Sequence, residues 1–285
     1  MKRGSRETLV AWLSRPRYEV IPLAGVEERV AEHVPTAVVV TVTASPRQGL
    51  DPTLELAERL AARGYRAVPH LSARLVADEA HLEEVLQRLR DAGIEEVFVM
   101  AGDAEVPAGK YPGALELLQA MDEIGHGLGG IGITGYPESH PFIDDDVTIQ
   151  SMWDKRRFAT YIVSNICFDA KVISSWVARV RRRGVDLPVY VGLPSITDTA
   201  KLLRVSKKIG VGESVRFLEK NRNWLTRLLL PGAYSPTRLL ARLAPDLSDP
   251  ELKVPGIHVY TFNDVAKTEM WKGEMLGRLG AEARA

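Results

Sequence analysis

The chain has 285 residues, 45% of them hydrophobic, with 37 basic and 37 acidic side chains, which is material for one large domain with a substantial core. A formal net charge of zero gives no electrostatic case for a nucleic-acid or anionic-membrane partner, and the basic run RVRRRG at 179–184 reads as a solvated helix end. The single cysteine, Cys167, excludes an internal disulfide, no apolar run approaches the roughly 20 residues of a membrane span, and MKRGSRETLVAW lacks a signal-peptide core, so a soluble cytoplasmic protein is expected.

Residues 5–15 are predicted to form a helix packed under the rest of the molecule. Short β-branched runs then alternate with longer amphipathic stretches, the pattern of parallel βα units. The first strand is YEVIP (18–22), followed by a short helix on GVEERVAEHV. The second is AVVVTVT (37–43); in the helix after it, Leu54, Leu56, Ala57, Leu60 and Ala61 form an apolar stripe and Gly64 is the stop. AVPHL (67–71) precedes a helix with Asp78 as its cap and Gly93 as its stop. EVFVM (96–100) leads into AGD, and GIGIT (130–134) leads into GYPESHP. YIVSNICF (161–168), PVYVGLP (188–194) and IHVYTF (257–262) make eight strands.

Eight strand and helix pairs in about 250 residues predict a (β/α)8 TIM barrel, a single domain over 1–285. A doubly wound open sheet usually stops at five or six strands. Segment 210–254 interrupts the rhythm with two helical patterns, ESVRFLEKNRNWLTRLLL and SPTRLLARLA. It is read as a helical insertion before the last strand, too short to hold a core of its own.

Barrel enzymes carry their chemistry at the C-terminal ends of the strands. Those ends hold Glu19; Thr41 and Thr43; His70; Asp103; Tyr136, Glu138 and His140; Asn165 and Asp169; and Tyr260, Thr261 and Asn263. Singly each has an ordinary explanation. Glu19 could lie on a solvated strand face, His70 could be a satisfied core histidine, and Asp103 could cap a helix. Together they are more polar and titratable groups than a purely structural face needs.

Other motifs fail on context. GLGGIG, Gly127 to Gly132, enters a strand from a helix, the reverse of a dinucleotide-binding turn, and AGDAEVPAGK has the wrong glycine spacing for a phosphate loop. The spacings of His, Cys and carboxylates give no metal site, Cys167 reads as core, and Asp144 to Asp146 read as N-terminal charge on a helix.

The motifs YEVIP, VTVTA, PHLSA, AGD, GYPESHP, SNICFD and HVYTFN occur here in the order and at the strand ends where methylenetetrahydrofolate reductases carry their signatures. The chain resembles that family from residue 17 to about residue 275. The resemblance implies a barrel that reduces 5,10-methylenetetrahydrofolate to 5-methyltetrahydrofolate, usually through FAD reduced by NADH or NADPH. It makes Glu19 the general acid that opens the five-membered folate ring to a 5-iminium cation, and Asp103 the carboxylate that binds the pterin and tunes charge along the hydride path. Thr41, His70, Tyr136 and His140 match positions that line the flavin, while Asn165, Tyr260, Phe262 and Asn263 fall on the folate side. One protonated acid beside a second, negative group suits a cationic intermediate.

Departures from the family pattern concentrate on flavin anchoring. Ala101 replaces the arginine of an Arg-Gly-Asp run, Asn165 replaces a longer glutamine, and the basic segment before the sixth strand is compressed to DKRRFATY. Asp264 stands where an arginine often follows the last motif. The pattern is similar to the flavin-independent branch known from mycobacteria, with NADH or NADPH giving hydride directly and FAD absent. Two alternatives stay open: an FAD-dependent reductase using Arg156 or Arg157 as phosphate cation, and a non-catalytic barrel binding a pterin or nucleotide. The expected partner is a small-molecule folate, with no nucleic acid and no membrane, and a homo-oligomer is allowed.

Overall fold

Strands whose side chains alternate between two apolar environments need a helix layer on one face and a second packed space on the other, and a closed barrel supplies both. The computed structural model describes residues 3–45, 47–138, 145–196 and 235–280. It contains β1 Arg17–Val20, β2 Val39–Val42, β3 Ala67–Ser72, β4 Glu96–Met100, β5 Gly130–Gly135, β6 Tyr161–Ser164, β7 Val189–Pro194 and β8 Gly256–Tyr260. Each strand pairs in parallel with the next and β8 returns to β1, closing the (β/α)8 barrel expected from the sequence.

The described helices are α1 Arg3–Ser14, α2 Val26–His33, α3 Asp51–Ala62, α4 Glu79–Asp91, α5 Ala114–Ile124, α6 Asp145–Lys155, α7 Ala170–Arg182, α8 Pro236–Leu247 and α9 Val265–Arg278. None of them is long and apolar enough to cross a membrane. Helix α1 buries Leu9, Trp12 and Leu13 against α8, α9 and the start of β8, and the Trp12 indole donates to Val254 O at 3.1 Å. Helix α8 starts at Ser235, whose hydroxyl accepts from Arg238 N, and buries Leu239, Leu240, Leu243 and Leu247. It packs on α7 and α1 and so forms part of the helical layer between β7 and β8. Residues 210–234 of the expected insertion lie outside the described residues.

Two strands end earlier than their apolar runs. After Ser164 the Asn165 Oδ1 accepts from Ile166 N at 2.8 Å, turning the chain, and Asp169 then caps α7 by accepting from Lys171 N and Val172 N. A side-chain acceptor offered to the local backbone competes with the ladder, so β6 stops at residue 164 rather than 168. After Tyr260, Phe262 and Asn263 take left-handed φ values of 50° and 59°, a conformation that no strand continues through.

The apolar interior is divided in two. A large cluster fills the space between strands and helices, and a small one, Val68, Phe98, Tyr161 and Val163, fills the barrel itself. The N-terminal end of the barrel is closed by a polar plug. Arg17 donates to Glu96 Oε1 and, at 2.8 Å, to the Tyr161 hydroxyl; its guanidinium lies 4.6 Å from the Tyr161 ring centroid, and Arg66 holds the other Glu96 oxygen at 2.8 Å. Burial works against the charge on Arg17, but its contacts with Tyr161 and Glu96 outweigh that. Burial would raise the Glu96 carboxyl, yet Arg17 and the hydrogen bonds around it hold it below the ordinary range. A pair this well satisfied gives β1 a firm anchor two residues before Glu19.

Candidate active site

Strand β1 sends Tyr18 and Val20 into the helix layer, where both are fully buried, and so turns Arg17 and Glu19 inward. In register, Glu19 lies between Thr41 of β2 and Tyr260 of β8. Its Oε2 is 3.1 Å from His258 Nε2 and 3.8 Å from His70 Nε2, and 17% of its side chain remains exposed. Glu19 is therefore an inward carboxyl that stays partly exposed.

Burial raises the Glu19 carboxyl above its ordinary range, with His70 opposing. That opposition is small at neutral pH, because the imidazoles are themselves uncharged there. Burial is the main cause that takes His70 down to about 4 and His258 down to about 3. The barrel holds its acid among neutral rings, an environment that shifts a carboxylic acid towards its protonated form.

The groups named from the strand ends meet electrostatically. Burial lifts the Tyr260 phenol well above its ordinary value, and both Glu19 and Tyr136 add to the effect. Burial likewise raises Tyr136, and Asp103 adds to that. Across the C-terminal end of the barrel Glu19 and Tyr136 thus act on Tyr260, and Tyr136 feels Asp103, which lies on the exposed rim. Gly102 sets the Asp103 loop: its φ is 87°, and a Cβ there would lie 1.8 Å from Ser72 Oγ. Gly102→Ala is expected to cost about 1–3 kcal/mol, read as a lower denaturation midpoint. An unchanged midpoint would mean that the loop and Ser72 rearrange freely.

The remaining predicted residues fall as follows. Thr41 is 2% exposed and donates to Tyr18 O at 3.3 Å. His70, also 2% exposed, packs against Phe98 with ring centroids 4.8 Å apart. The Tyr260 hydroxyl donates to Ser164 O at 3.1 Å, and Phe262 is half-buried. Asn263 clamps β1 to the loop after β8: its Oδ1 accepts from Ile21 N at 2.8 Å and its Nδ2 donates to Ile21 O at 2.9 Å. Asn165 is half-buried at the turn described above. His140 lies outside the described residues. Cys167 is buried with Glu138 Oε1 3.5 Å away, and burial pushes its thiol up, as befits a core residue.

His258 was not singled out by the sequence reading. The signal was there in the strand period, since position 258 shares a face with Tyr260 two residues on. The cations are also informative. Arg156 and Arg157 follow α6 and precede β6, which places them at the N-terminal end of the barrel; Arg156 lies over the Trp153 ring and Arg157 over Phe158. Arg74, after β3, spends its guanidinium on the carbonyls of Pro112, Ala104 and Glu105. A cavity of about 500 Å³ opens at the same N-terminal end, lined by Arg17, Glu96, Tyr161 and Tyr190. Much of its polar lining is already paired in the plug, and in barrels this face serves stability.

A family model described as methylenetetrahydrofolate reductase matches residues 19–220, well over half of the chain. Methylenetetrahydrofolate reductase 2 of Saccharomyces cerevisiae is 25% identical over 134 residues, covering 43% of this chain and 22% of the yeast protein. Methylenetetrahydrofolate reductase 1 of Schizosaccharomyces pombe is 25% identical over 158 residues, covering 53% and 26%. Methylenetetrahydrofolate reductase (NADH) 1 of Arabidopsis thaliana is 25% identical over 176 residues, covering 55% and 29%. The matched region spans less than a third of each of these relatives.

Proposed function

The chain belongs to the methylenetetrahydrofolate reductase family, and from that premise we propose that it reduces 5,10-methylenetetrahydrofolate to 5-methyltetrahydrofolate in the cytoplasm, with hydride taken directly from NADH or NADPH. The observation that carries this is Glu19, a buried acid with a raised pKa and a partly open side chain at the C-terminal end of the barrel. With burial raising its carboxyl above the ordinary range, it gives its proton to the folate N10, and the C–N bond of the five-membered ring breaks to leave a 5-iminium cation. Hydride from the nicotinamide adds to the methylene carbon, producing the methyl group and NAD(P)⁺, and Glu19 recovers a proton from solvent. The Asp103 carboxylate at the rim favours the cation while it lasts.

The flavin-free form is supported by where the anchoring groups fall. Ala101 supplies no cation, Arg156 and Arg157 are at the far end of the barrel, and Arg74 is committed to backbone. Thr41 and His70, at 2% exposure, offer almost no surface to a bound ring. The described residues therefore do not make a good flavin site.

Initial rates with both substrates varied should give intersecting lines, as a ternary complex requires, and deuterium from labelled nicotinamide should arrive undiluted in the product methyl group. Parallel lines, label lost to solvent and flavin absorption bands at near-stoichiometric strength would instead establish a flavin relay. No folate turnover with either nicotinamide would remove the proposed activity.

A further inference from the structure

Of the inward titratable groups that the reaction described above leaves unused, His258 lies within hydrogen-bond distance of Glu19. His258 is 1% exposed, its Nε2 is 3.1 Å from Glu19 Oε2, and its Nδ1 is buried without a hydrogen-bond partner. Tyr260 packs edge-on against the ring, with centroids 4.9 Å apart. A neutral imidazole carries one hydrogen, and the nitrogen with an acceptor keeps it. On Nδ1 that hydrogen would be a buried donor with nothing to bond. On Nε2 it points at Glu19.

The other groups facing Glu19 are spent elsewhere or lie out of hydrogen-bond reach. Thr41 from β2 donates to Tyr18 O, Tyr260 from β8 donates to Ser164 O, and Arg17 on the same strand is held by Glu96 and Tyr161. His70 from β3, at 3.8 Å, is beyond hydrogen-bond reach. Among the described residues His258 is thus the donor committed to this carboxyl. Among the described residues Glu19 Oε1 has no hydrogen-bond partner, and 17% of the side chain is exposed.

We propose that His258 is a positioning residue whose Nε2–H donates to Glu19 Oε2, so that the transferable proton rides on Oε1, the oxygen left open to the substrate. This rests on Glu19 being the acid. The same bond favours the ionised carboxyl and partly offsets burial, so His258 sets the strength of the acid as well as its orientation. Without it, Glu19 would ionise at higher pH and present its proton less well.

The test compares His258→Leu with His258→Gln in the full chain and includes ¹⁵N NMR of the histidine-labelled protein. His258→Leu is expected to lower kcat tenfold or more with little change in KM, and to move the falling, alkaline limb of the kcat profile to higher pH. His258→Gln, which keeps a donor, should restore much of both. The NMR spectrum, which needs no functioning variant, should show His258 protonated on Nε2. A hydrogen on Nδ1, or equal loss of kcat in both variants with the limb unmoved, would overturn the proposal. Glu19→Gln separates the two levels: if that variant stays fully active, the acid assignment itself fails, whereas an inactive Glu19→Gln with an unmoved His258→Leu limb defeats only the role of His258.

Discussion

Glu19→Gln is expected to fold normally and to lose about 10²–10⁴-fold in turnover, the range that general acid catalysis supplies, with folate affinity little changed. Glutamine keeps the volume and still offers an acceptor to His258, 3.1 Å away in the parent, but has no proton to transfer. The same variant should be more stable than its parent at pH values above the raised Glu19 pKa, where the parent must hold a buried carboxylate among neutral rings. Lost activity with gained stability is the pattern of a group kept for chemistry at the expense of packing. Steady-state kinetics and denaturant melts on the one variant check both halves. Full activity would take Glu19 out of the reaction, and a large loss of stability would mean that its carboxyl is a structural partner instead.

Acidification from pH 7 towards 4 is expected to remove several kcal/mol of stability, with the loss beginning well above the carboxylate range. His70 and His258 have folded values of about 4 and about 3 against an ordinary 6.5. Below 6.5 the unfolded chain takes up protons that the folded barrel refuses, so stability falls with pH, by up to about 1.4 kcal/mol per unit for each histidine. Glu96, whose folded pKa is depressed, adds a loss of the same sign at lower pH: its contribution is present above its ordinary value and disappears as pH falls through the folded one. Glu19 has the opposite sign, because its folded pKa is raised; the folded state binds its proton first and recovers some stability as pH falls through that value. Denaturation midpoints measured at closely spaced pH values between 7 and 4 test the balance. A flat profile between 6.5 and 4.5 would show that the two imidazoles open to water and protonate without cost.

The barrel was legible in the sequence because strand and helix periods are local. Runs such as EVFVM and PVYVGLP declare themselves within a few residues, as do the stops at Gly64 and Gly93, both with positive φ. The inward direction of Glu19 was only half legible, since alternation says that Glu19 and Tyr18 face opposite ways but not which of them meets the core. The ends of β6 and β8 were misjudged for a related reason. ICF and TF are apolar enough to extend a strand, but the side-chain bond from Asn165 to its neighbour's backbone and the left-handed turn at Phe262 and Asn263 end each ladder first.

What only the tertiary structure decided is who meets whom across the closure. Glu19 and His258 are 239 positions apart and touch because β8 returns to pair with β1, and Arg17 reaches Glu96, 79 positions on, across the barrel interior. Local periodicity assigns each residue a face of its own strand. Closure, register and stagger between strands then decide which of those faces share a space, and these depend on the packing of all eight strands at once. The sequence therefore determined the order of the elements, the residues available at the strand ends and the family they resemble. The closed barrel decided that Glu19 is a buried acid among neutral imidazoles, because only there does burial disfavour its charge with no free cation among the described residues beside it to offset the cost.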